Sequence, residues 1–294
     1  MTTSFSDVPM HKQEDELLPF ELNYIPEFIL RKKEEELNGI QADKQKCLQE
    51  LKDLLDGHKL SIGIDFEDDF LHMYLMHHKY RVDRAFSFIR NYLNLRKNHG
   101  YLFRKVDFDF TVIPACQFAT VLPYRCQDGS VTVLCELGKL DPDKTGLEPL
   151  KKILFMIYQQ ELRNPVTQIA GFNIIHDFAG TGFRHLKYCT PSLMYLVNHL
   201  TVDIFPAKYS GFHLVNGNYL MNLLINLIKP LMPEEFRRII YVHSSPEDLL
   251  NHFPRSVLPV KYGGKLTDYY AADWLRKANE QQDNFPAGGQ KNIF

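Results

Sequence analysis

The chain has 294 residues, 45% of them hydrophobic and 24% charged, with 34 Lys and Arg against 36 Asp and Glu for a formal charge of -2. That balance carries no basic footprint for nucleic acid, so no nucleic-acid partner is expected. The five cysteines (Cys47, Cys116, Cys126, Cys135, Cys189) are odd in number and form no Cys-x-x-Cys pair, which argues against a disulfide framework or a cysteine zinc site and for a reducing cytosol.

Residues 1–20 mix charges with isolated apolar positions and lack the apolar core of a signal peptide. Pro26 opens a charged helix over 26–37. A second helix sets Leu48, Leu51, Leu54 and Leu55 on one face and stops at Gly57. A third runs over 65–78 with Phe66, Phe70, Met73 and Tyr74 at helical spacing, and a fourth over 82–97 with Val82, Phe86, Ile89 and Leu93. Together they predict a small helical bundle.

From Val131 onward, short apolar runs alternate with helical stretches, the pattern of a parallel sheet covered by helices. Strands are expected at 131–137, 170–178, 210–216 and 238–243. Helices are expected at 147–163, 191–205, 217–228 and 246–253. Residues 281–294, rich in Gln, Gly and Asn, read as disordered. No run approaches the ~18 apolar residues of a membrane span, so membrane contact would be peripheral.

Enzyme signatures are weak. Gly180-Thr181-Gly182 follows a predicted strand as a dinucleotide loop would, but His185 stands where the third glycine belongs, which leaves a nucleotide-dependent oxidoreductase a poor fit. There is no Gly-x-Ser-x-Gly elbow and no local histidine spacing that suits a metal, so neither a catalytic nor a metal site is expected. His176-Asp177 at a strand end is the remaining candidate acid/base pair. The helix over 217–228 is different: Asn218, Asn222 and Asn226 form one polar stripe on an otherwise apolar surface. It is either buried on both sides or a lid between a ligand and a membrane.

Three ordered motifs carry a resemblance. They are Phe205-Pro206-Ala207-Lys208-Tyr209-Ser210-Gly211-Phe212-His213-Leu214-Val215-Asn216, then Lys229-Pro230-Leu231, then Leu258-Pro259-Val260-Lys261-Tyr262-Gly263-Gly264. Weaker agreement comes from 171–177 and from 68–85. Over about residues 45–275 the chain resembles the CRAL-TRIO lipid-binding family, which includes carriers of tocopherol, retinaldehyde and phosphatidylinositol.

The resemblance implies an α/β fold: a tail over 1–20, a helical N-terminal domain over 21–105, a lipid-binding domain over 106–275 with a mostly parallel sheet and a helical gate, and a disordered tail over 276–294. Ligand contacts are expected from Phe155, Tyr158, Phe172, Ile174, Phe183, Val197 and Leu200. Thr201, Ile204, Phe205 and Phe212 complete the wall, and Met221, Leu224 and Leu227 close it from the gate, with Leu223 and Ile228 expected on its membrane side. Anionic lipid would meet Lys208, Lys229, Arg237 and Arg238.

In the tocopherol branch a basic groove receives a phosphoinositide headgroup. Here Ser210 and Glu235 stand at its further basic positions, and the arginine-bearing turn of the N-terminal domain reads His77-His78-Lys79-Tyr80. The implied function is a cytoplasmic, monomeric, non-enzymatic carrier, transiently at membranes, that encloses one hydrophobic small molecule of tocopherol, retinoid, carotenoid or sterol type. No cofactor is expected besides that ligand. The alternative is a phosphoinositide-linked sensor or scaffold without net transfer.

Overall fold

The computed structural model describes residues 17–107, 109–110, 117–282 and 292–293. The expected bundle is present as α1 (Glu27–Leu37), α2 (Lys44–Asp56), a two-residue strand β1 (Asp65–Phe66), α3 (Asp68–His77) and α4 (Val82–Asn98). Asp43 caps α2 by accepting from the Gln45 and Lys46 amides, each at 3.1 Å, so the helix starts earlier than its leucine pattern. Leu48, Leu51 and Leu55 are buried, whereas Leu54 is 42% exposed and leaves the predicted face. Lys79 and Tyr80 turn the chain between α3 and α4 at φ of 53° and 58°.

The second half comprises β2 (Ala119–Val121), β3 (Val131–Glu136), α5 (Leu147–Glu161), α6 (Pro165–Ala170), β4 (Phe172–Asp177), α7 (Pro191–His199), β5 (Tyr209–Val215), α8 (Tyr219–Ile228), α9 (Glu234–Arg238), β6 (Ile240–Val242), α10 (Ala272–Gln282) and β7 (Asn292–Ile293). One sheet has the order β2-β3-β4-β5-β6, with β2 antiparallel and the rest parallel. Because β3 to β6 progress in one direction, right-handed crossovers set α5, α7 and α8 on one common face. The other face is covered by 246–264, whose Leu249, Phe253, Leu258 and Tyr262 pack on Ile175 and Val215.

The Leu258-to-Gly264 motif holds this reverse cover in place. Tyr262 donates to Asp177 Oδ2 at 2.6 Å and Asn216 Nδ2 donates to Asp177 Oδ1 at 2.7 Å, while Lys261 pairs with Glu136. A Cβ on Gly264 would stand 1.9 Å from the Leu258 carbonyl oxygen, so only glycine permits that approach.

The bundle and the sheet domain share one apolar core, which continues across residue 105. Tyr74 donates to the Ile204 carbonyl at 3.1 Å across that join. Several elements depart from expectation. The helix over 191–205 is α-helical only to His199 and continues as a π turn over Leu200–Ile204. The 246–251 segment is a 3-10 helix. The tail expected from 276 begins inside α10, where Ala278, Asn279 and Gln282 are buried and Asn279 makes two 2.9 Å bonds with the Val106 backbone. β7 pairs with β1, so residues 292–293 are ordered strand as well. Residues 17–20 also dock, with Phe20 edge-on to Trp274 at 5.8 Å. The rest of both predicted tails lies outside the described residues.

Candidate functional site

An apolar cavity of about 190 Å³ lies between the sheet and the helices of the crossover face. Strands β4 and β5 supply its floor through His176, Phe212 and Leu214, joined by Phe178 just after β4, the alternate positions that point away from the reverse cover. Leu150 and Leu154 of α5 and Leu193, Met194, Val197 and Asn198 of α7 form its walls, with Thr201 on the π turn. Leu220, Leu224, Ile225 and Ile228 of α8 close it. The floor uses the carboxyl ends of the strands, where open α/β sheets place ligands.

Of the expected contacts, Val197, Thr201, Phe212 and Leu224 line this cavity. Phe155, Phe172, Ile174, Ile204 and Phe205 do not; they are at most 3% exposed and packed in the main core. Their rings and that of Tyr158 fill the amino ends of β4 and β5, with Phe155 to Phe205 at 5.3 Å and Tyr158 to Phe172 at 5.2 Å. Leu200 and Leu227 pack on the same core, and Met221 is buried against Phe178 and Leu214. Phe183 is a clear correction: it is 81% exposed, with its ring 5.9 Å from the exposed Tyr219.

α8 departs from its expected facing at Ile228 and in its polar stripe. Asn218 is its N-cap, accepting from the Leu220 and Met221 amides at 2.9 and 3.3 Å while donating to Thr181 Oγ1 at 2.7 Å. It therefore leaves the proposed stripe, of which Asn222 and Asn226 remain exposed. Ile228 lines the cavity rather than the outer side, whereas the half-buried Leu223 does not reach it. The missed wall had a signal: Leu220, Leu224 and Ile228 are an i, i+4, i+8 row.

Most polar groups in the wall are satisfied within the protein. Tyr188 donates to the Thr145 carbonyl at 2.9 Å, Thr201 to Val197 O at 2.8 Å, and His185 bonds the Gly182 amide and the Leu140 carbonyl, each at 3.1 Å. Two atoms are not. His176 Nδ1 and Asn198 Oδ1 are buried without a hydrogen-bond partner. Burial pushes the His176 imidazole down to about 4, so it is neutral at physiological pH.

His176 and Asp177 cannot work as an acid/base pair, because adjacent strand residues point to opposite faces. Asp177 serves the reverse cover. Burial opposes its ionisation, but hydrogen bonds from Asn216 and Tyr262 hold its carboxyl below the usual range.

The basic positions are dispersed. Lys208 is ion-paired with Glu36 of α1 and donates to the Ile169 carbonyl at 3.1 Å. Lys33, Lys79 and His77 flank that pair in a cleft of only about 40 Å³. Lys229, Arg237 and Arg238 are exposed, Arg238 pairing with Glu234.

The CRAL/TRIO domain model matches residues 117–264, half of the chain and the part that builds the sheet and the cavity. The chain belongs to the CRAL/TRIO family. Members of that family bind and transfer lipophilic ligands. Human alpha-tocopherol transfer protein-like is 24% identical over 263 residues, covering 89% of this chain and 77% of that one. Rat clavesin-1 is 24% identical over 245 residues, covering 82% and 69%. Among solved structures, Sfh5 is 16% identical with a TM-score of 0.49, covering 76% of this chain and 79% of that one. Among the described residues no helix is long and apolar enough to cross a membrane.

Proposed function

We propose that this chain is a non-enzymatic carrier that encloses one neutral lipophile bearing a hydroxyl group and exchanges it at membrane surfaces through α8. The observation that carries this reading is the apolar cavity behind α8 with two orphaned polar atoms in its wall. An unsatisfied buried acceptor costs about 1–3 kcal/mol, so a ligand that donates to Asn198 Oδ1 or His176 Nδ1 recovers energy that a pure hydrocarbon cannot. Tocopherols, retinol, hydroxylated carotenoids and sterols share that chemistry.

The volume of about 190 Å³ is below the ~300–1,000 Å³ of small-molecule sites, so loading requires α8 to move outward and the flexible Met194 and Met232 side chains to rotate. A lipophile of ~20 carbons gains ~16 kcal/mol of gross transfer energy, which makes release into water slow. Opening α8 in water would expose its four inner side chains at ~1.5–3 kcal/mol each, an upper bound near ~6–12 kcal/mol. A bilayer receives those side chains instead. The exposed Phe183 and Tyr219 beside the N-terminus of α8 are suited to dock there. The Glu36–Lys208 pair means that an anionic headgroup has to compete with an internal carboxylate, which favours a neutral cargo and docking that does not depend on phosphoinositide.

The polar anchors are tested with α-tocopherol, retinol and cholesterol against their acetate esters, which lack the donor. Wild type is expected to prefer the alcohol of at least one pair by about tenfold, and His176→Phe with Asn198→Leu to remove most of that preference. An equal preference in the double variant contradicts the anchor assignment. Transfer between labelled vesicles that does not depend on the acceptor membrane contradicts the carrier reading and leaves a sensor or scaffold.

A further inference from the structure

We infer that His213, His243 and His252 form a site for one divalent transition-metal ion of the kind that favours imidazole nitrogen, with zinc as the reference ion. The three residues come from β5, from the residue just after β6 and from the residue just after the 246–251 turn. One ring nitrogen of each lies within 4.8 Å of the others. His213 Nδ1 and His243 Nε2 are 3.0 Å apart. Two nitrogens at ~2.0–2.1 Å from a tetrahedral zinc are separated by roughly 3.3 Å, so this pair is already near ligand spacing. His252 closes the set by rotating a side chain that is exposed.

The buried member is held in place. The His213 ring lies over Gly211, where even a Cβ would stand 2.4 Å from its Nε2, and it is stacked on Tyr241 at 5.0 Å and edge-on to Phe253 at 4.7 Å. These contacts fix the ring with Nδ1 towards His243, the kind of support that orients a metal ligand. Asp248 stands near the site but is occupied, accepting from the Ser244 and Ser245 amides at 3.0 and 2.9 Å. The donor set is therefore three imidazoles with one position open to water, on the side where His252 is exposed.

The site is separate from the lipid cavity. His213 points to the reverse face, whereas its neighbours Phe212 and Leu214 point into the cavity. A bound ion would tie the ends of β5 and β6 to the segment that covers the reverse face. The inference does not rest on the carrier reading.

The test uses the full chain after treatment with a chelator. Titration with Co²⁺ is expected to give the visible bands of a four-coordinate ion at one equivalent, and Zn²⁺ is expected to displace it and to raise the thermal midpoint. His252→Ala and His243→Ala are each expected to weaken zinc binding at least about tenfold, with unchanged circular dichroism. His99→Ala, which alters an exposed histidine elsewhere, should change nothing. Lipophile loading should stay as in wild type in all three variants. The inference is overturned if no stoichiometric cobalt spectrum appears, or if the His243→Ala, His252→Ala double variant binds zinc as wild type does.

Discussion

Replacing Leu223 with Asp is expected to slow transfer between donor and acceptor vesicles about 10- to 100-fold while leaving equilibrium ligand affinity within about twofold, a kinetic cost of ~1.4–2.8 kcal/mol. Leu223 is on the outer side of α8, away from the cavity row of Leu220, Leu224 and Ile228. A carboxylate there keeps its water when the helix is closed. It must give up part of that water when the outer face enters the bilayer surface, so the charge penalises docking rather than holding. Leu224→Ala should do the reverse, because it removes three carbons from the cavity wall and weakens retention by ~2 kcal/mol at most. Dissociation then becomes faster whatever the acceptor membrane. If both variants lower affinity and rate in the same proportion, α8 is packed core rather than a gate.

Acidification should lower both stability and ligand retention between pH 6.5 and about 4. Burial pushes His176 down to about 4. His78 is lowered to about 4 by burial and by nearby Arg81 and Arg84, and His77 to about 3 by burial and its neighbours His78 and Lys208. Each is depressed below the ordinary 6.5, so its contribution is complete above pH 6.5 and is lost as pH falls through that window, where the unfolded chain binds more protons. For His176 alone the loss is on the order of 3 kcal/mol. Glu161 works in the opposite sense. Burial raises its carboxyl to about 7, so over pH 4.5 to 7 the folded state is favoured by acid, but it is one group against five lowered histidines, His213 and His243 being lowered by burial as well. Denaturant midpoints at pH 7.5, 5.5 and 4.5 are expected to fall in that order, and less steeply for His176→Phe. Equal midpoints would show that these histidines are not held neutral by the fold.

The parallel sheet, the four-helix bundle and an unusual apolar helix after Asn216 were all legible in the sequence, because each rests on periodicity over many residues. The cavity was not. Phe155, Phe172 and Phe205 have the same apolar spacing as a wall, and only packing shows that aromatic rings fill the amino ends of β4 and β5 while the carboxyl ends stay open. Ile228 was misplaced on the outer side of α8 because Asn218 was counted as part of a polar stripe, whereas its cap fixes where the helix begins. β2 is too short at three residues to show alternation. α10 hid behind its polar composition: Asn279 is buried through two hydrogen bonds with the Val106 backbone, and only Leu275 and Ala278 add buried apolar positions. Phe183 was expected as a ligand contact from the family resemblance, yet it stands outside beside Tyr219. The three histidines of the reverse face are brought together by strand register and a returning turn, which no local spacing could reveal.

Native mass spectrometry of the intact chain, purified and incubated with vesicles containing tocopherol, retinol and sterol, addresses the central claim most directly. Wild type should carry a single added mass matching one neutral lipophile. Val197→Trp, which fills the cavity wall beside Asn198 at a folding cost of ~1–3 kcal/mol, should carry none while remaining folded. A chain that takes up only charged phospholipid, or a Val197→Trp variant that loads as wild type does, would contradict the placement of a neutral ligand behind α8.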